Sequence, residues 1–274
     1  MQLAILAAGL GTRFGGPKQF FPIGPNQECL FHYSAAFCHH TFPGTSLILI
    51  TREEILTQAQ ESLKPVPIPH QIVLQETPHG KPRGTADALL SAISVANPNE
   101  PLIILNADDF YGPESFQAAK TILPMLETAA AVPYQVQNTL SPHGGVSRAI
   151  CTLQENHLRS ITETHDIKLS GNHITSPHLE VPIPPNTPVS MNFFLFDPSI
   201  EPSLQEFVKS GNESPQEITI PDFLQDQITN HNWLVPTSLS SSEWFGMTFP
   251  EDRTAVQERL LERHRAGEQI NQLW

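Results

Sequence analysis

Three short stretches carry residue types suited to holding a polyphosphate. The first, LAAGLGTRFGGPKQF at residues 6–20, packs Gly9, Gly11, Gly15 and Gly16 around two charges, Arg13 and Lys18. Without side chains in the way, the backbone amides of residues 9–12 can approach phosphate oxygens closely. Arg13 offers a planar fork for bidentate phosphate binding, and Lys18 a mobile point charge. A tight turn with solvated charges is the competing reading. Two commoner glycine fingerprints fail: Pro17 separates Gly16 from Lys18, which breaks a P-loop, and Phe14 stands where a dinucleotide motif needs its third glycine.

The second stretch, QETPHGKPRGTADALLSA at residues 75–92, places Gln75 at a strand end and Gly84-Thr85-Ala86 at the start of a helix. A helix N-terminus favours an anion or a polar base edge, and Lys81 and Arg83 add positive charge before it. The plain alternative is a capped surface helix. In the third, LIILNADDFYG at residues 102–112, an apolar strand runs into Asp108 and Asp109. Adjacent carboxylates at a strand end need a balancing cation, and hard oxygen ligands suit magnesium that carries phosphates. Successive side chains on an extended chain point to opposite faces, so one of the two is expected to meet the metal. A helix cap near Pro113 is the alternative.

These stretches need a scaffold that brings them to one edge. Strand-length apolar runs at 3–7, 47–51, 72–74, 102–106 and 129–133 alternate with helical patterns at 30–39, 53–63, 85–96 and 115–126. That alternation predicts an α/β fold with a mixed, mainly parallel sheet sandwiched by helices. Such sheets bind ligands at the carboxyl ends of their strands, where all three stretches begin. The rhythm then changes. Residues 149–153, 158–162, 173–174 and 189–196 read as strands of a more antiparallel insertion, followed by a helix at 221–229. A last helix is expected to start near Pro250 and Glu251 and to stop at Gly267.

Bulk composition narrows the partners. The 274 residues carry a formal charge of −13, which argues against general affinity for nucleic acid or acidic membranes. Cys29, Cys38 and Cys151 are scattered without metal-ligand spacing, so reduced thiols and a cytoplasmic setting are expected. The opening MQLAILAAG has no basic flank and reads as a buried strand rather than a leader, and no apolar stretch is long enough to span a bilayer. The 26 prolines cluster in short connectors such as PVPIPH and VPIPPNTP, so the chain is expected to form one domain.

The first stretch closely resembles the signature of the sugar nucleotidyltransferases, the nucleoside-diphosphate-sugar pyrophosphorylases, typified by glucose-1-phosphate thymidylyltransferase-like proteins. Their pattern L-A-A-G-x-G-x-R, a gap, then K-x-x-x-P-[IV] is filled throughout, Pro22 and Ile23 included. The resemblance implies a nucleotide-diphospho-sugar transferase fold, Rossmann-like and GT-A-like. Residues 1–135 would form the nucleotide half, 136–235 the sugar half, and 236–274 a C-terminal segment and helix. It implies that Leu6, Ala8, Gly9, Gly11 and Thr12 line the nucleotide, that Gln75, Gly84 and Thr85 read the base, and that Asp108 binds Mg2+, with Asp109 as second candidate.

ITETHDI at 161–167 resembles the family's sugar-contact strand V-x-E-K-P, so Glu163 would accept sugar hydroxyls. The family's lysine is Thr164 here, and Lys168 is the substitute. VSMNFFLFD at 189–197 matches a later sheet segment, in which Asn192 would face the sugar. EWFGMTFPEDR resembles W-x-D-x-G-T-P-E-D, but Gly246 stands where the family has a second metal carboxylate. Asp252 or Asp222 replaces it, or one carboxylate suffices.

The implied reaction is attack of a sugar 1-phosphate oxygen on the α-phosphorus of a nucleoside triphosphate, with Arg13 and Lys18 stabilising the leaving pyrophosphate. The nucleophile is already an anion, so catalysis is positioning and charge neutralisation. Two alternatives stand: a cytidylyltransferase for phosphocholine or a polyol phosphate, and a non-catalytic nucleotide-sugar-binding regulator. A homo-oligomer is compatible with the sequence, which does not specify one.

Overall fold

The computed structural model describes all residues except 13, 142, 212–216, 248 and 268–272, together with the side chain of residue 79. The chain opens with β1 (Gln2–Leu6), α1 (Leu30–Thr41), β2 (Ser46–Thr51), α2 (Leu56–Leu63), β3 (His70–Leu74), α3 (Thr85–Ile93) and β4 (Leu102–Asn106). It continues with β5 (Asp109–Phe110), α4 (Pro113–Ile122), β6 (Ala129–Ala131), β7 (Tyr134–Gln135), β8 (Val146–Gln154) and β9 (His157–Ser170). Then come β10 (His173–Thr175), β11 (Pro188–Ser190), β12 (Phe194–Phe196), α5 (Glu201–Gly211), α6 (Ile220–His231), β13 (Val235–Pro236), β14 (Phe245–Gly246) and α7 (Asp252–Arg265).

The main sheet runs β3-β2-β1-β4-β12-β6. β1 pairs in parallel with β2 and β4, β2 pairs in parallel with β3, and β12 is antiparallel to both of its neighbours. Its central strands are apolar on both faces, as a sheet covered on both sides requires. Leu3, Ile5, Leu47, Leu49, Ile103 and Leu105 join one core with Phe31 of α1, Ala59 of α2, Phe116 of α4 and Leu260 of α7. Ala4, Ile48, Ile50 and Ile104, the alternate residues, join a second core with Leu89 of α3, Leu204 of α5 and Phe223 of α6. The period-2 alternation of the strands therefore sorts the helices onto two faces.

A second, antiparallel sheet, β10-β9-β8-β11-β7 with β13 on β9, hangs from this sandwich around the long β8–β9 hairpin. The expected single strand at 189–196 is two strands in two sheets. β11 pairs with β8, β12 pairs with β4, and Asn192 between them has φ 60°, a left-handed turn that asparagine tolerates. No helix was expected at 201–211, where α5 buries only Leu204 and Val208. Two helix ends follow local rules: Thr219 caps α6 by accepting from the Asp222 amide, and Gly267 with φ 75° follows α7.

Candidate active site

The loop after β1 is held from below by side chains outside its motif. Buried Gln19 donates from Nε2 to the carbonyls of Ala7 at 2.8 Å and Gly9 at 3.0 Å, and Arg52 Nε donates to the Ala8 carbonyl at 3.1 Å. Gly11, at φ 62°, accepts the amides of Phe14, Gly15 and Gly16. A Cβ on Gly11 would lie 2.0 Å from the Gly16 carbonyl oxygen, so the tight turn excludes any other residue. Arg13 lies outside the described residues. Lys18 reaches the Asp108 carboxylate at 2.5 Å and donates to the Met247 carbonyl, tying the loop to the end of β4 and to the residue after β14.

The two aspartates part company, as opposite faces of an extended chain require. Asp108 lines a cavity of about 380 Å³, together with Leu6, Ala8, Gly9, Gly11, Thr12, Gln75, Lys81, Gly84, Thr85, Asn106 and Glu217. Asp109 is buried, and its carboxylate accepts from Asn106 Nδ2 at 2.8 Å. Burial first, and the neighbouring Asp108 charge second, push its pKa up to about 7. Gly246 pairs with Asp109 across β5 and β14, and a Cβ there would meet Asp109 Oδ1 at 2.3 Å. The glycine at the family's second carboxylate position thus leaves room for Asp109.

Neither proposed replacement for that carboxylate is among the residues that line the cavity with Asp108. Asp252 opens α7 and accepts the Phe249 amide at 2.7 Å, and Asp222 lies at the start of α6. Among the described residues, no group of three or more His, Cys, Asp or Glu could hold a metal. One half-buried carboxylate beside a cationic side chain fits a divalent ion that brings its own phosphate oxygens, rather than a closed protein cage.

Gln75 is buried and donates from Nε2 to the Gly84 carbonyl and to Asp87 Oδ2, both at 2.9 Å. Gly84 has φ 126°, and a Cβ there would fall 2.4 Å from the Ile218 carbonyl oxygen. The Ala86 amide donates to that oxygen at 3.0 Å, and the Thr85 hydroxyl accepts the Ile220 amide at 2.9 Å. The start of α3, expected from sequence to face a ligand, therefore spends one amide and one hydroxyl on docking residues 218–220.

A second cavity of about 580 Å³ shares Thr85 and Glu217 with the first and is further lined by Glu163, His165, Asn192, Thr219, Pro221 and Asp222. Asn192 Nδ2 donates to Asn106 Oδ1 at 3.1 Å, so an asparagine pair bridges from this cavity to the aspartates. Tyr111 locks the bridge from beneath: its hydroxyl accepts the Asn106 amide at 3.0 Å and donates to the Met191 carbonyl at 2.7 Å. Burial raises the Glu163 carboxyl above the ordinary range. Lys168 does not line the cavity; it is exposed and pairs with Asp166 at 2.8 Å.

The sequence reading passed over Asn106, Gln19, Arg52 and Glu217. Asn106 and Arg52 each stand at or just after the carboxyl end of a strand, a signal that was available. Glu217 lies far from any motif and reaches the site only because Gly84 receives Ile218.

A MobA-like NTP transferase domain family model matches residues 3–169. No curated protein matches the chain in sequence. The solved structure of the inositol-1-phosphate CTP transferase from T. maritima aligns over 95% of this chain and 96% of its own, with a TM-score of 0.67 and 13% identity. A Bacillus anthracis protein provisionally assigned as a glucose-1-phosphate thymidylyltransferase, crystallised with a sucrose, aligns over 95% of each chain, with a TM-score of 0.70 and 13% identity. At that identity the two structures speak for the shared fold.

Proposed function

Because the chain belongs to the MobA-like NTP transferase domain family, and so is a nucleotidyltransferase, we propose that it moves a nucleoside monophosphate from a triphosphate to the phosphate of a sugar 1-phosphate or a related alcohol phosphate. The observation that supports this reading is the pair of cavities that share Thr85 and Glu217, with Asp108 lining one and Asn192 the other. The triphosphate occupies the first and the acceptor the second. An acceptor phosphate oxygen forms the new bond to the α-phosphorus while the bond to the β-phosphate oxygen breaks and pyrophosphate leaves. No proton needs to move.

Each residue contributes position or charge. Gln75, its amide oriented by Gly84 and Asp87, meets the base. Lys18 and Arg13 neutralise the leaving pyrophosphate, and a few kcal/mol of barrier is the usual worth of one such contact. When bound, magnesium supplies charge neutralisation on the phosphate oxygens, and Asp108 is the residue that would hold it. Asn192 and Asn106 hold the acceptor side in register with the aspartates. A cytoplasmic enzyme is the setting we infer; no helix among the described residues is long and apolar enough to cross a membrane.

A non-sugar alcohol phosphate is the second reading. Thr164 replaces the family's sugar-phosphate lysine and is buried, and Lys168 is held by Asp166, so the family's usual cation is missing on β9. The test of both is a matrix of nucleoside triphosphates against sugar 1-phosphates, inositol phosphate and phosphocholine, read by pyrophosphate release with and without magnesium. Turnover in any cell of the matrix supports nucleotidyl transfer. Nucleotide binding without pyrophosphate release in every cell would replace the enzyme with a nucleotide-binding regulator.

A further inference from the structure

The acceptor cavity has a charge that a neutral sugar does not call for. Glu163, Glu217 and Asp222 face it from β9, from the segment before α6 and from α6 itself, with His165, Asn192 and Thr219 among them. No lysine or arginine is among the described lining residues, although the charge of Arg148 on β8 also acts on Glu163. We propose that the acceptor is a phosphate ester whose far end carries a protonated primary amine, and that Glu217 and Asp222 select it, an inference that rests on the nucleotidyl-transfer reading.

Three considerations converge. Hydroxyl groups are well served by one carboxylate and neutral amides, which Glu163 and Asn192 already provide. Two further carboxylates beside Glu163 repel one another and it, a cost that a bound cation turns into a gain. The charges that act on Glu163 place both carboxylates near it: beyond burial, which raises its carboxyl most, His165 and Arg148 pull it down, and Asp222 and Glu217 push it up.

The acceptor's phosphate, by contrast, finds its cations at the other end, where Lys81 lines the nucleotide cavity and Lys18 sits on Asp108. The ends of the site therefore match a molecule negative at one end and positive at the other. No Phe, Tyr or Trp is among the described residues that line the cavity, whereas quaternary ammonium groups are held by the faces of such rings. That selects an ammonium with N–H donors over a trimethylated one.

Matched acceptors test this on the intact protein: glucosamine 1-phosphate against glucose 1-phosphate, and ethanolamine phosphate against glycol phosphate and phosphocholine, with each nucleoside triphosphate in turn. Within at least one pair, the primary amine is expected to raise kcat/KM for pyrophosphate release about tenfold or more. Glu217→Gln and Asp222→Asn should each shrink that ratio severalfold, whatever they do to the absolute rate. Equal or better use of the neutral or trimethylated member, or an amine preference that survives both substitutions, would overturn the inference and leave nucleotidyl transfer intact. Absence of pyrophosphate release from all of them would remove both.

Discussion

The two ends of the site are built from opposite materials. At the nucleotide end, consecutive residues do the shaping: Gly9, Gly11 and Thr12 follow directly from β1, and their conformation is set by Gln19 and Arg52 bonding to the loop's carbonyls. At the acceptor end, Glu163 on β9, Asn192 between β11 and β12, and Asp222 on α6 come from separate segments, and no single stretch of sequence holds the pocket. The first end uses backbone and carries lysines beside its carboxylates; the second is lined by carboxylates and uses side chains. A phosphate is common to every substrate of this chemistry, so a loop of fixed pattern can serve it. The rest of the acceptor varies, and its pocket varies with it.

The largest test of this contrast is Asp108→Asn. It removes the one carboxylate that both lines the nucleotide cavity and pairs with Lys18. We expect kcat to fall by about a thousandfold, as for loss of a comparable electrostatic group, with an unchanged thermal midpoint. Pyrophosphate release within a factor of a few of wild type would show that the nucleotide end does not depend on it.

Gly84→Ala probes the joint between the ends. The added Cβ meets the Ile218 backbone at 2.4 Å and sits at φ 126°, so the segment carrying Glu217 and Asp222 must shift away from α3. Strain of this kind costs roughly 1–3 kcal/mol of stability. Steady-state kinetics should show the acceptor KM rising more than the nucleotide KM. An equal rise in both would mean that Gly84 serves the base rather than the docking of 218–220.

The smallest effect lies outside both ends. His32 is buried in α1, accepts the Cys29 amide at Nδ1, and donates from Nε2 to the Ser62 carbonyl at 2.7 Å. That pattern holds the neutral ring, and burial keeps its pKa below the ordinary value. The unfolded chain therefore binds the proton first, so stability is expected to fall as pH drops through roughly 6.5 and below. Denaturation in urea at pH 7.5 and 5.5 measures it, and His32→Gln should flatten the difference.

Legibility from sequence tracks how local each cause is. The parallel strands around β1 were readable because runs such as LILI at 47–50 are buried on both faces, and helix starts such as Thr85 carry their own signals. The segment at 189–196 was not, because a left-handed Asn192 breaks no hydrophobic pattern: the residues on either side stay apolar and buried while they change sheets. α5 went unseen because its buried stripe is two residues wide. The divergence of Asp108 and Asp109 followed from strand geometry, but which of them faces the cavity did not.

The sequence by itself determined the kind of chemistry, since a glycine loop with Arg13 and Lys18, a strand-end Gln75 and a strand-end carboxylate are demands that a polyphosphate places on neighbouring residues. It also determined the class of sheet, through the spacing of apolar runs. Only the tertiary structure decided that Asp109 is buried beneath Gly246, that Lys168 belongs to Asp166, and that Glu217 and Asp222 join Glu163. The reason is distance along the chain. Local conformation is written in local residues, whereas the charge of a pocket is the sum of side chains that meet only after two sheets and α6 have packed.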